Sequence, residues 1–127
     1  MKRIILDTDF LVHCAEAKVD YFSELERICS FAFVPAVVDK TIDELDGVIA
    51  KGGRSAAAAK LAKMIIAKKG VGIIATSRDR PADDLIVNLA DENTIVATSD
   101  AGLKKRLKAK KAGIIVLRKK QFLVLES

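Results

Sequence analysis

Four acidic residues stand where α/β proteins do chemistry: Asp7, Glu44, Asp84 and Asp100. Asp7 follows the apolar run "RIIL" and Asp100 follows "TIVATS", and in open α/β sheets ligands bind outside the carboxyl ends of the strands. Glu44 lies in "DKTIDELD". At about 100° per residue, Val38, Ile42, Leu45 and Ile49 form one buried stripe there. Asp39, Asp43 and Asp46 then fall on the solvated side, whereas Glu44 sits on the opposite shoulder beside Val37, Thr41 and Val48, bordering the core. In "PADDLIVNLADE" the inward face is Leu85, Ile86, Leu89 and Ala90, and Asp83 and Asp84 occupy the first turn. If the four acids converge, like charges about 4 Å apart repel by roughly 4 kcal/mol at an effective dielectric of about 20. Such a set calls for a cation, and oxygen-only ligands select hard ions such as Mg²⁺ or Mn²⁺.

Each acid also has an ordinary use. Asp9 and Asp100 could cap the helices that follow them. Asp83 and Asp84 are favoured by the dipole of a helix start whether or not they do chemistry. Glu44 alone would be a helix-surface glutamate. The case for a site rests on four elements bringing their acids to one edge.

Those elements are legible as alternating short β-branched runs and longer helical-period segments. Strands are predicted over residues 3–6, 31–34, 71–75, 94–98 and 114–117, with helices over 10–17, 20–29, 36–50, 54–69, 83–91 and 101–111. Gly70 and Gly113 look like helix stops, Gly52-Gly53 separates two helices, and Pro81 precedes a helix start. The small residues Ala56 to Ala59 permit close helix packing. The tail "FLVLE" could add a strand or a packing arm. The expected fold is a single α/β domain over residues 1–127, a three-layer α/β/α arrangement around a central parallel sheet of about five strands.

With 127 residues, half of them hydrophobic, the chain can fill one core. Lys and Arg outnumber Asp and Glu by 22 to 17, and a net charge of +5 favours an anionic partner. No apolar run is long enough to span a membrane, and Asp7 and Asp9 interrupt the apolar start, so a soluble cytoplasmic protein is expected. Cys14 and Cys29 lack C-x-x-C spacing and read as reduced core thiols.

In order and spacing these segments resemble the motifs of PIN domain ribonucleases. "LDTDF" is similar to the family's first motif, usually Asp-Thr-Asn after strand one. "TIDELD" resembles its helical Glu-Leu motif, "ADDLIVNLA" its third, and "IVATSDAGLKKRL" its fourth. The resemblance implies that Asp7, Glu44, Asp84 and Asp100 bind the metal, with Thr98 and Ser99 as supporting hydroxyls and Asp83 close by. Asp9 departs from the usual asparagine. The resemblance also implies that strand one lies beside strand four, and that the protein forms homodimers. The tail "VLRKKQFLVLE" is more similar to archaeal relatives of the small-subunit rRNA-processing nucleases, acting on pre-ribosomal particles, than to minimal VapC-type toxins with an antitoxin partner, which stand as the alternative.

The reaction so implied is endoribonuclease hydrolysis of RNA phosphodiesters by a water activated on one or two Mg²⁺ or Mn²⁺ ions. His13 is the only histidine, which excludes a two-histidine mechanism. Substrate contact is expected from the basic stretch "LKKRLKAKKAGIIVLRKK". Leu103 and Leu107 turn inward there and leave Lys104, Lys105, Arg106 and Lys108 to solvent. Lys51 and Arg54, beside Gly52-Gly53, are further phosphate candidates. Few aromatic rings are present for stacking on bases. Two other classes share these features. A phospho-receiver domain would need an aspartate at the end of its third strand, where Ala75 and Thr76 stand. A catalytically silent RNA-binding module would fit the Asp9 departure.

Overall fold

The computed structural model describes residues 1–126. Along the chain lie β1 (Lys2–Leu6), α1 (Thr8–Ala17), α2 (Tyr21–Ile28), β2 (Phe33–Val38), α3 (Asp39–Lys51), α4 (Arg54–Lys68) and β3 (Gly72–Ile74). They are followed by α5 (Ala82–Leu89), β4 (Thr94–Ala97), α6 (Ala101–Ala109), β5 (Gly113–Arg118) and β6 (Phe122–Glu126). The sheet order is β3-β2-β1-β4-β5-β6, and every neighbouring pair is parallel except β5 and β6.

Strand β1 lies in the middle of the sheet, which is why "IIL" has no polar member. Ile4 and Leu6 point to one face, where Phe10, Leu25, Leu45 and Ala59 of α1 to α4 pack on them. Ile5 points to the other, against Ile86 of α5 and Leu103 and Leu107 of α6. Three layers result, four helices on one side and two on the other. Cys14 is buried and free, and burial pushes its thiol up to about 12, so it packs as a small hydrophobe. No helix among the described residues is long and apolar enough to cross a membrane.

The largest boundary differences from expectation lie at the second and third strands. The second strand runs over Phe33–Val38, not 31–34, and its helix begins at Asp39 instead of residue 36. Pro35 forces Val34 to be extended, and the β-branched Val37 and Val38 prolong the strand. Pro35 sits before the register with β3 begins at Ala36, so its missing N–H costs little there. Strand β3 has only three residues. The tail supplies a sixth strand, antiparallel to the other five.

Strand β6 closes one edge of the sheet. Its outer edge is covered at Leu123, whose N–H donates to Glu24 Oε1 (2.9 Å) and whose carbonyl accepts from Arg27 Nη2 (3.0 Å). Its turn from β5 is closed by Gln121 N–H donating to Arg118 O (3.0 Å). The two central residues, Lys119 and Lys120, have φ of 53° and 54°. Left-handed backbone costs a side-chain-bearing residue on the order of 1 kcal/mol.

Candidate active site

At the carboxyl ends of β1 and β4 lies a pocket of about 190 Å³ whose lining includes Asp7, Asp9, Glu44, Asp83 and Asp100, and no basic side chain. It draws on both helical layers.

Asp7 is placed by the sheet itself. Its N–H donates to Ala97 O (3.0 Å), and its carbonyl accepts from Leu11 N–H (3.1 Å) to start α1. The side chain makes no cap bond to that helix. It instead accepts from Thr98 Oγ1 (2.9 Å), a fully buried hydroxyl anchored by Thr98 N–H donating to Ile115 O (2.9 Å). Burial raises the Asp7 carboxyl to about 6; the Thr98 bond opposes that rise, and the neighbouring charge of Asp9 adds to it.

Glu44 is held from three elements. Thr8 Oγ1 lies 2.7 Å from Glu44 Oε1 and 3.0 Å from Thr41 Oγ1. Thr8 has one hydroxyl proton, so it donates to the carboxylate and accepts from Thr41. The other oxygen, Oε2, accepts from Ala82 N–H at the start of α5 (2.9 Å). Thr8 and Thr41 were not among the expected site residues. The alternation of Thr8 with two aspartates was visible, but a threonine gives no sign of which carboxylate it will meet.

Asp100 combines both readings given to it: it caps α6, accepting from Leu103 N–H through Oδ1 (2.8 Å), and it lines the pocket. Its own N–H donates to Thr98 Oγ1 (3.1 Å). Asp9 is exposed in the first turn of α1 and also lines the pocket. The α5 pair is placed differently from expectation. Asp83 forms the pocket wall, with Oδ2 3.9 Å from Arg106 Nη1, and Asp84 Oδ1 lies closer to that arginine, 2.8 Å from Nη2. Successive helix residues point about 100° apart, so the two adjacent acids meet different neighbours. Ser99 is exposed and lines a neighbouring cleft instead of the pocket.

Asp39, expected on the solvated side, is buried. It accepts from Thr76 N–H (2.8 Å) and Thr76 Oγ1 and pairs with Arg78 (3.2 Å), latching the segment that leads to α5. Those hydrogen bonds and the Arg78 charge hold its carboxyl below the usual range. Of the basic candidates, Lys51, Lys105 and Lys108 are exposed. Lys104 is half-buried, contrary to expectation, whereas Arg106 is exposed as expected, though both make ion pairs. Lys104 pairs with Glu126 (3.3 Å), because β6 returns alongside β5, and Arg106 pairs with α5. Arg54 lines the neighbouring cleft with His13.

The donor set suits a hard divalent ion. All five acids offer oxygen, and the raised Asp7 carboxyl reflects a pocket that resists unbalanced negative charge. Among the described residues no three His, Cys, Asp or Glu side chains are grouped closely enough to hold a metal ion as they stand.

Residues 4–120 match the family described as a PIN like domain. The chain is 27% identical to ribonuclease VapC4 of Methanocaldococcus jannaschii over 124 residues, covering 96% of this chain and 95% of that one. The solved structure of the PIN domain endonuclease Utp24 superposes with a TM-score of 0.81 at 24% identity, covering 98% of this chain and 90% of that one.

Proposed function

Because the chain belongs to the PIN-like domain family, we propose that it is an endoribonuclease that hydrolyses RNA phosphodiester bonds with the aid of Mg²⁺ or Mn²⁺. The observation that carries this reading is the pocket of five carboxylates, without a lining cation, at the carboxyl ends of adjacent β1 and β4. The names of the relatives, a ribonuclease and an endonuclease, agree with it.

Asp7, Glu44, Asp83 and Asp100 would hold the ion, with Asp9 beside them and Asp84 occupied by Arg106. When bound, such an ion supplies an acidified water and offsets charge on the phosphodiester. The chain's own contribution is preorganisation. Thr98 fixes Asp7 through Oδ2, and Leu103 N–H fixes Asp100 through Oδ1. Thr8 and Ala82 N–H hold Glu44 at both oxygens, setting its orientation before any ligand arrives. The +5 net charge draws RNA to the molecule, while the acid-lined pocket keeps bare phosphate away until a cation is present.

Purified protein should cleave single-stranded RNA in Mg²⁺ or Mn²⁺ and stop in EDTA, with Asp7→Asn protein prepared identically as the check on contaminating nuclease. Undiminished cleavage in EDTA, or equal cleavage by the variant, sinks the reading.

The similarity to VapC4 favours a second, biological reading, a toxin held by an antitoxin, beside a role in rRNA processing. Growth arrest on induced expression, relieved by Asp7→Asn, separates the toxin from the processing enzyme. A homodimer and a cytoplasmic location belong to the same proposal. Light scattering over a concentration series checks the dimer.

A further inference from the structure

Beside the acidic pocket lies a larger cleft of about 860 Å³, whose lining includes His13, Arg54, Lys119 and Lys120 and one acid, Glu16. The two cavities adjoin. Asp9 of the pocket and His13 of the cleft are one turn apart on α1, and Ser99 of the cleft directly precedes Asp100 of the pocket. The α4 residues in the cleft, Arg54 to Leu61, come from its first two turns. No side chain caps that helix start and no acid stands in its first turn, so its dipole adds to the positive potential.

The β5–β6 turn supplies the second observation. Both central residues are held in the left-handed region, the condition of a type I′ turn, for which Asn-Gly is the favoured pair. Here both are lysines, and both line the cleft. Backbone strain that sets charged side chains around a cavity points to use of that cavity.

We propose that this cleft holds the single-stranded RNA segment flanking the scissile phosphate, with Arg54, Lys119 and Lys120 on its phosphates. The proposal rests on the nuclease reading of the adjoining pocket. The cleft has the size of a small-ligand site, which admits a few nucleotides of one strand but not a duplex. Its lining holds no Phe, Tyr or Trp, so the grip falls on the backbone and is indifferent to base sequence.

The test is the double substitution Lys119→Asn with Lys120→Gly, which gives the turn its preferred residues and deletes two cations. Binding of a labelled single-stranded RNA is followed by fluorescence anisotropy in EDTA, over a salt series, so that cleavage does not intervene. The expected result is a melting temperature at or above wild type and affinity lowered tenfold or more. The plot of log K against log salt should be shallower by about 1.4, two phosphate contacts at roughly 0.7 each. Arg54→Gln, on a different element, should lower affinity in the same direction. Unchanged affinity and salt slope in both folded variants overturns the proposal, as does wild-type preference for duplex RNA or for an acidic peptide over single-stranded RNA. Binding through these lysines without Mg²⁺- or Mn²⁺-dependent cleavage would sink the nuclease reading and leave the cleft assignment standing. Cleavage at wild-type rate and affinity by both variants would do the reverse.

Discussion

Asp7 is a carboxylate that the fold would rather keep protonated. Its carboxyl titrates at about 6 in the folded chain and near 3.8 when unfolded, so between those values the native state binds the extra proton. Stability from this group is therefore full below about pH 3.8 and falls as pH rises through 6, by on the order of 3 kcal/mol. Asp7→Asn keeps an oxygen for Thr98 and removes the charge. In EDTA at neutral pH it should melt higher than wild type and lose the decline between pH 4 and 6, while cleavage disappears. A melting curve that tracks wild type across that window would show that Asp7 bears no such burden. The neighbouring pair on α5 gives a second contrast. Asp83→Asn should reduce metal-dependent cleavage by tenfold or more. Asp84→Asn breaks only its pair with Arg106, an effect of about 0–1 kcal/mol on stability, with cleavage within a few-fold of wild type. The opposite ranking in a cleavage assay would put Asp84 in the machinery and Asp83 outside it.

At the level of elements, the site is a junction of α1, α3 and α5, fastened by the Thr41–Thr8–Glu44 chain and the Ala82 N–H. Thr8→Val keeps the shape but removes the hydroxyl, leaving the buried Thr41 without its partner and Glu44 with one donor fewer. The expected cost is about 1–3 kcal/mol of stability, together with slower cleavage, and Thr8→Ser should restore both. If Thr8→Val cleaves as fast as wild type, Glu44 is oriented by other means. Much of this junction was legible in the sequence because periodicity reports one element at a time. "RIIL" and "TIVATS" announce strands buried on both faces, and the stripe Val38, Ile42, Leu45 and Ile49 puts Glu44 on the shoulder where it is found. What failed needed knowledge of two elements at once. Asp39 looked solvated on its own helix because the segment at Thr76 and Arg78 that covers it lies far along the chain. Lys104 looked free because Glu126 reaches it only after β6 folds back. The second strand is longer than expected because Val37 and Val38 suit either period.

For the molecule as a whole, basic charge is spread over the surface while five acids meet at one mouth, so a divalent cation should act as a folding ligand. Saturating Mg²⁺ or Mn²⁺, at about 100 times its dissociation constant, should stabilise wild type by roughly 2.7 kcal/mol. Asp7→Asn should gain far less, and scanning calorimetry with and without EDTA reads the difference directly. Equal gains in the two proteins would place the ion elsewhere. The antiparallel course of β6 has an outcome of a practical kind. Strand β5 runs toward the pocket and β6 runs away from it, with Glu126 paired to Ile114 near the start of β5. Lys2 opens β1 at that same distal edge. Anything attached before residue 2 or after residue 126 thus leaves from the side opposite the mouth. A fluorophore, an affinity handle or a covalent link to a sensor chip can be placed at either end, and the acidic pocket and its neighbouring cleft will still face the solution.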